Sequence, residues 1–176
     1  MAIKVLGQTK NKSPPKSVAA KRVNLPIQRD SFNATPLYNK AVSLLSKPNL
    51  YDYIGARHGD IQLKVTGIYH SLENCFIVYE IRNKGAIPYD INYLEFGIKE
   101  RKRPKKSALH EKKLAPLFTV KEDITRVLPH QVNEYVAVFE KITVPSDRIL
   151  YLELIEDGRN ISLNILFHKL PIARLP

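Results

Sequence analysis

From residue 61 onward, apolar side chains recur at every second position, and turn residues break the runs at short intervals. Successive side chains on an extended strand point to opposite faces, so this pattern buries one face of many short strands. Ile61, Leu63 and Val65 alternate with Gln62, Lys64 and Thr66 before Gly67 interrupts, as a bulge or bend would. Cys75 to Arg82 is apolar on both faces for most of its length, which places it centrally in a sheet. Asn83-Lys84-Gly85 turns the chain, and Pro88 marks the short piece Ile87–Ile91 as an edge or a strand start. Leu94, Phe96 and Ile98 alternate next, and Leu114 to Val120 resumes extended character. Asn133 to Ile142 sets Tyr135, Ala137 and Phe139 against Val136 and Val138, and Leu150, Leu152 and Leu154 follow. Asp157-Gly158 closes a hairpin onto Ile161, Leu163, Ile165 and Phe167. Strands with no helix between them pair antiparallel, because parallel pairs need long crossovers. The expectation is a mainly β chain: an antiparallel, immunoglobulin-like β-sandwich of about seven strands, with a small barrel as the alternative.

One short N-terminal helix precedes the sandwich. Thr35 can cap it, Pro36 suits its first turn, and Pro48 stops it; Leu37, Ala41, Leu44 and Leu45 share a face. Some three turns cannot stand alone. These four residues therefore form a candidate docking face, either for the chain's own domain or for a partner subunit. The expected organisation is a basic, proline-containing disordered tail over 1–34, helix and linker over 35–59, the sandwich over 60–170 and a tail over 171–176.

Charge is uneven. The 176 residues carry a formal net charge of +11; residues 1–59 hold 10 basic and 2 acidic side chains, whereas residues 114–176 hold 7 and 8. That asymmetry argues against a protein that coats nucleic acid over its whole surface. Between them, residues 99–113 set eight cations against Glu100 and Glu111: Lys99, Arg101, Lys102, Arg103, Lys105, Lys106, Lys112 and Lys113. Such a stretch would gain counterion-release energy on a polyanion. It has no aromatic residue for stacking on bases, and charged hairpin loops also serve to keep edges from pairing. The expectation is an exposed loop or an electrostatic contact with an acidic protein, with a nucleic-acid-binding module using the tail and this loop as the alternative function.

The single cysteine, Cys75, leaves no internal disulfide or multi-cysteine metal site, and it reads as a small buried hydrophobe. His58, His70, His110, His130 and His168 lie far apart, without metal-ligand spacing. The carboxylate pairs Glu122/Asp123 and Glu156/Asp157 fall in turn-like stretches, and no phosphate-cradling glycine loop or nucleophile elbow occurs. No enzyme is expected, and no catalytic, cofactor-binding or metal residues. No apolar run reaches the ~20 residues of a membrane span, and none of signal-peptide length follows Met1–Gly7.

Gly67-Ile68-Tyr69, the strand ending in Arg82-Asn83-Lys84-Gly85, and Ile87-Pro88-Tyr89-Asp90-Ile91 resemble the TraN family of conjugative-transposon proteins. The likeness continues through Leu94–Lys99, the basic run and Leu114–Phe118, with weaker similarity from about Leu44 to Phe167. Its most specific part is the order of Asn83, Tyr89, Asp90 and Ile91, which strand alternation does not dictate. The resemblance implies a scaffold component of a type IV secretion apparatus that passes DNA between cells. It also implies a periplasmic or outer-membrane-associated location and, as partners, the other subunits of that complex, a homo-oligomeric ring included.

Overall fold

The computed structural model describes residues 35–101, 111–121, 125–156 and 159–176. The basic tail over 1–34, the cations Lys102, Arg103, Lys105 and Lys106, and the turn residues Asp157 and Gly158 lie outside them.

Twelve strands and one α-helix occur among the described residues: α1 (Pro36–Leu44), β1 (Gly55–His58), β2 (Ile61–His70), β3 (Asn74–Asn83), β4 (Tyr89–Asp90), β5 (Tyr93–Glu100), β6 (Glu111–Leu114), β7 (Phe118–Val120), β8 (Arg126–Val127), β9 (Val132–Glu140), β10 (Arg148–Glu156), β11 (Arg159–Ile165) and β12 (Ala173–Arg174). The first sheet runs β1-β2-β3-β9-β7, with β12 parallel to the far end of β2. The second runs β11-β10-β5-β6, and β4 pairs β8 as a small ribbon. In the lettering of immunoglobulin domains, β2, β3, β9 and β7 take the places A, B, E and D. The other sheet, β11, β10, β5 and β6, reads G, F, C and one added strand. The antiparallel immunoglobulin-like sandwich expected from alternation is the observed fold, with twelve strands in place of seven.

The alternation decides what each strand faces. Leu63, Val65, Ile77, Tyr135, Ala137, Leu150, Leu152, Ile161 and Leu163 point between the sheets into one core. At its centre Tyr79 stacks on Tyr135 at 5.3 Å and meets Phe96 edge-on, while Phe96 meets Phe139 the same way. Thr66 is the extra residue of a bulge between Val65 and Gly67, at the interruption that Gly67 announces. Beyond it Tyr69 turns to the other side of the sheet, and a Cβ on Gly67 would stand 2.7 Å from the Tyr69 ring.

The outer face of the first sheet is apolar as well, because Phe76, Val78, Val136 and Val138 occupy the alternate positions of the two central strands. α1 covers it, lying against β7 and β9, and Leu175 after β12 completes the cover. The molecule thus has three layers: helix with C-terminal segment, first sheet, second sheet. Residues 35–59, expected as helix and linker, and 171–176, expected as a tail, carry β1, β12 and buried Tyr51 and Leu175, which pack with the sandwich. The helix ends at Leu44, with single-turn bonds from Leu45, Ser46 and Lys47 bringing the chain toward Pro48.

Candidate functional site

The residues of the Asn83-to-Ile91 motif come together at one end of the sandwich, where the chain crosses from the first sheet to the second. Asn83 closes β3 and is buried. Its Nδ2 donates to the carbonyls of Ile87 (2.8 Å) and Val127 (3.1 Å), and its Oδ1 accepts from the Gly85 N–H (2.9 Å). A shorter or purely apolar side chain cannot make these three bonds, which hold the crossover loop against β8. Tyr89 then pairs with Val127, and Asp90 with Arg126, whose Nε lies 2.5 Å from the Asp90 carboxylate. That guanidinium holds the Asp90 carboxyl below its usual range. Between this crossover and the Gly59-Asp60 turn lies a cleft of about 500 Å³, where His58, Asp60 and Glu156 meet Ile61, Pro88 and Tyr89. Near Asn83 three apolar side chains are exposed, Ile87 at 78%, Leu128 at 46% and Val132 at 40%, among the exposed Lys84, His130 and Gln131.

The basic segment is not one loop. Its ends are strands: Lys99 and Glu100 finish β5, and Glu111–Leu114 form β6, paired with Phe96–Lys99. On the outer face of the second sheet Tyr151 lies flat over Gly97. Its hydroxyl donates to Glu95 (2.9 Å), the Lys99 ammonium stands 4.6 Å from its ring centre, and Lys113 reaches Glu95 at 2.6 Å. Burial, then the neighbouring Glu111 and Glu95 carboxylates, push the Tyr151 hydroxyl far above its ordinary range, and Glu95 raises Lys113. Of the sequence-predicted cations, Lys99 and Lys113 are therefore engaged within the chain, whereas Arg101 and Lys112 are exposed. Lys112 stands opposite Ile98, on the core side of an edge strand, a placement that hinders pairing with another sheet. Nothing in the amino-acid pattern pointed to Tyr151 or Glu95 as the centre of this network, because it depends on the register of β10 against β5.

The four predicted helix residues face inward. Ala41 and Leu44 are buried, and Leu37 and Leu45 pack against the same cluster as Phe118 and Val136. Of the two docking partners open to this face, it meets the chain's own sheet, and α1 offers a neighbour only its other side. Thr35 caps it through Oγ1, which accepts from the Tyr38 N–H at 3.2 Å.

Cys75 is buried at the start of β3, and burial pushes its thiol up to about 12. Four of the histidines stand apart, in β1, at the end of β2, in a turn before β9 and in the turn Phe167–Lys169; His110 lies outside the described residues. Among the described residues no three His, Cys, Asp or Glu side chains gather as a metal would require, and no helix is long and apolar enough to cross a membrane.

Comparison with known proteins agrees on the extent of this unit, from within α1 to β12. No curated protein and no solved structure matches the chain. A family described as a domain of unknown function (DUF4138) matches residues 38–174. Helix, sandwich and closing strand are therefore one family unit, and the chain belongs to the DUF4138 family.

Proposed function

We propose that the chain is a non-catalytic structural subunit of a conjugative-transposon DNA-transfer apparatus, of the TraN kind, working in the envelope among the other subunits of a type IV secretion complex. One observation carries this reading. The residues most specific to the TraN resemblance, Asn83 and Tyr89-Asp90-Ile91, are spent on folding a crossover, and at that end of the sandwich Ile87 of the crossover and Leu128 and Val132 of the segment it is bonded to are exposed. Exposed apolar groups collected at one end of a rigid sandwich are stabilised by burial against another protein, at roughly 25 cal/mol per Å² removed from water.

The test is genetic. In a donor strain carrying the transposon, deletion of the gene is expected to reduce transfer to background and the wild-type gene to restore it. Ile87→Asp with Leu128→Asp, both at exposed positions, should leave a folded protein that neither restores transfer nor co-purifies with the other mating-apparatus proteins. Undiminished transfer after deletion overturns the proposal. If the double variant restores transfer and co-purifies, the apolar end is not the contact.

A further inference from the structure

One short sequence occurs twice. Leu25-Pro26-Ile27-Gln28-Arg29 and Leu170-Pro171-Ile172-Ala173-Arg174 both read Leu-Pro-Ile-x-Arg. The second copy is seated in the structure, along the edge of the first sheet. Leu170 and Ile172 pack against the core between the sheets, and the Pro171 carbonyl accepts from the Tyr51 hydroxyl at 2.7 Å. Ala173 and Arg174 form β12 beside Tyr69 and His70 of β2, and the Leu175 N–H then donates to the His70 carbonyl at 2.7 Å. The seat is a groove that reads a strand in two ways: backbone bonds hold it, and places for particular side chains select it.

Residues 25–29 lie outside the described residues and repeat the two apolar side chains, the proline and the arginine in the same order. They differ in having Gln28 for Ala173, and Asp30 where Leu175 is buried. Losing the burial of one leucine weakens the fit by about tenfold or more, so the C-terminal copy is the tighter occupant. The groove of the same chain is also hard for residues 25–29 to reach. Thr35 opens α1 over β7, where Tyr38 meets Phe118 at 5.8 Å, and the sheet order β12, β2, β3, β9, β7 sets β12 at the opposite edge. Four strand spacings are about 19 Å, and the steps from Arg29 to Thr35 cover about 20 Å only when fully extended. The groove of a neighbouring copy requires no such stretch.

We propose that the groove beside β2 receives residues 25–29 of a second copy of the chain, in exchange for its own residues 170–174. The contact is head-to-tail: each copy gives its N-terminal strand to one neighbour and offers its groove to another, and such contacts repeat into rings or filaments. The inference is independent of the function proposed above, since it uses only the groove and the repeated sequence. Among free copies the exchange fills a minority of grooves, because each chain's own strand fits better, and a covalent trap collects that minority.

The trap is a disulfide in the full chain. His70 is the β2 partner of Arg174, so Arg29→Cys with His70→Cys brings two thiols within bonding reach when the N-terminal copy is seated. Cys75→Ala is added, because Cys75 stands opposite His70 in the β2–β3 pair. Under mild oxidation a disulfide from position 29 of one chain to position 70 of another is expected, identified by peptide mapping and rising with protein concentration. Leu25→Asp with Ile27→Asp should lower its yield at least about tenfold, the loss of two buried apolar side chains. A yield no higher than with Lys84→Cys, an exposed position at the crossover end, in place of His70→Cys overturns the proposal, as does a yield that the two aspartates leave unchanged. A disulfide closed within one chain overturns the assignment to a second copy. A peptide of residues 22–32 titrated into the unaltered chain tests the groove without any variant. Saturable shifts of the Tyr51, Tyr69 and His70 amide signals are expected, and their absence overturns the proposal.

Discussion

Gly97 is where the smallest side chain does the most. A Cβ there would stand inside the van der Waals envelope of the Tyr151 ring, so Gly97→Ala must lift that ring from the sheet and disturb its bond to Glu95. The expected cost is about 1–3 kcal/mol, read as a lower melting temperature. An unchanged melting temperature would mean that the ring is not held there. Asn83→Ala should cost about 1–3 kcal/mol too, because it leaves the Ile87 and Val127 carbonyls and the Gly85 N–H without their partner. Denaturant titration measures it, and a loss well below 1 kcal/mol would show that water replaces the amide freely. Buried hydroxyls and a buried thiol bear on the alkaline limit, Tyr51 and Cys75 among them. The Tyr51 hydroxyl, which donates to the Pro171 carbonyl, is raised by burial from 10.0 to about 12, and the Cys75 thiol from 9.0 to about 12. The unfolded chain therefore releases these protons first. Their contribution to stability is complete below the unfolded values and is lost as pH climbs from about 9 toward 12. Melting temperature should fall across that window, and less steeply in Cys75→Ala; parallel profiles for the two proteins would count against the assignment.

At the scale of elements, α1 is the cover of an apolar sheet face. Leu44→Ala should cost about 2–5 kcal/mol, whereas Val42→Ala on the exposed side should cost little, and chemical denaturation of the two variants compares them. Equal losses would mean that the helix is not seated by that face. Its start and its apolar stripe were legible from Thr35, Pro36 and the leucine spacing; its partner was not, since spacing says which face is apolar and not what lies against it. The long strands were legible for the same reason, eight to ten residues giving enough alternation to read, and Gly67 announced the bulge. The short ones escaped. β4, β8 and β12 have two residues each, too few to show a period, and β6 places Lys112 where alternation expects an apolar side chain. The β1–β2 hairpin left a readable trace in Gly59-Asp60, with Gly59 in the left-handed region that a tight turn requires. The candidate site was half visible. The Asn83–Ile91 motif stood out as an order of residues, but one of the amide's three bonds reaches Val127, 44 residues away, which no local pattern announces.

The molecule as a whole behaves as one cooperative body by its packing, because α1, the first sheet and the segment after β12 share a single cluster and the two sheets share another. A single urea transition, with helical and aromatic signals moving together, is the expected result; an early loss of helix would separate the outer layer from the sandwich. The layers also make the two sides of the molecule unequal. Lys40 of α1 bonds the Pro176 carbonyl at 2.5 Å, so the described chain starts and finishes on the same flank. A fluorescent reporter fused after Pro176 would leave from beside α1, on the face of the first sheet turned away from the second.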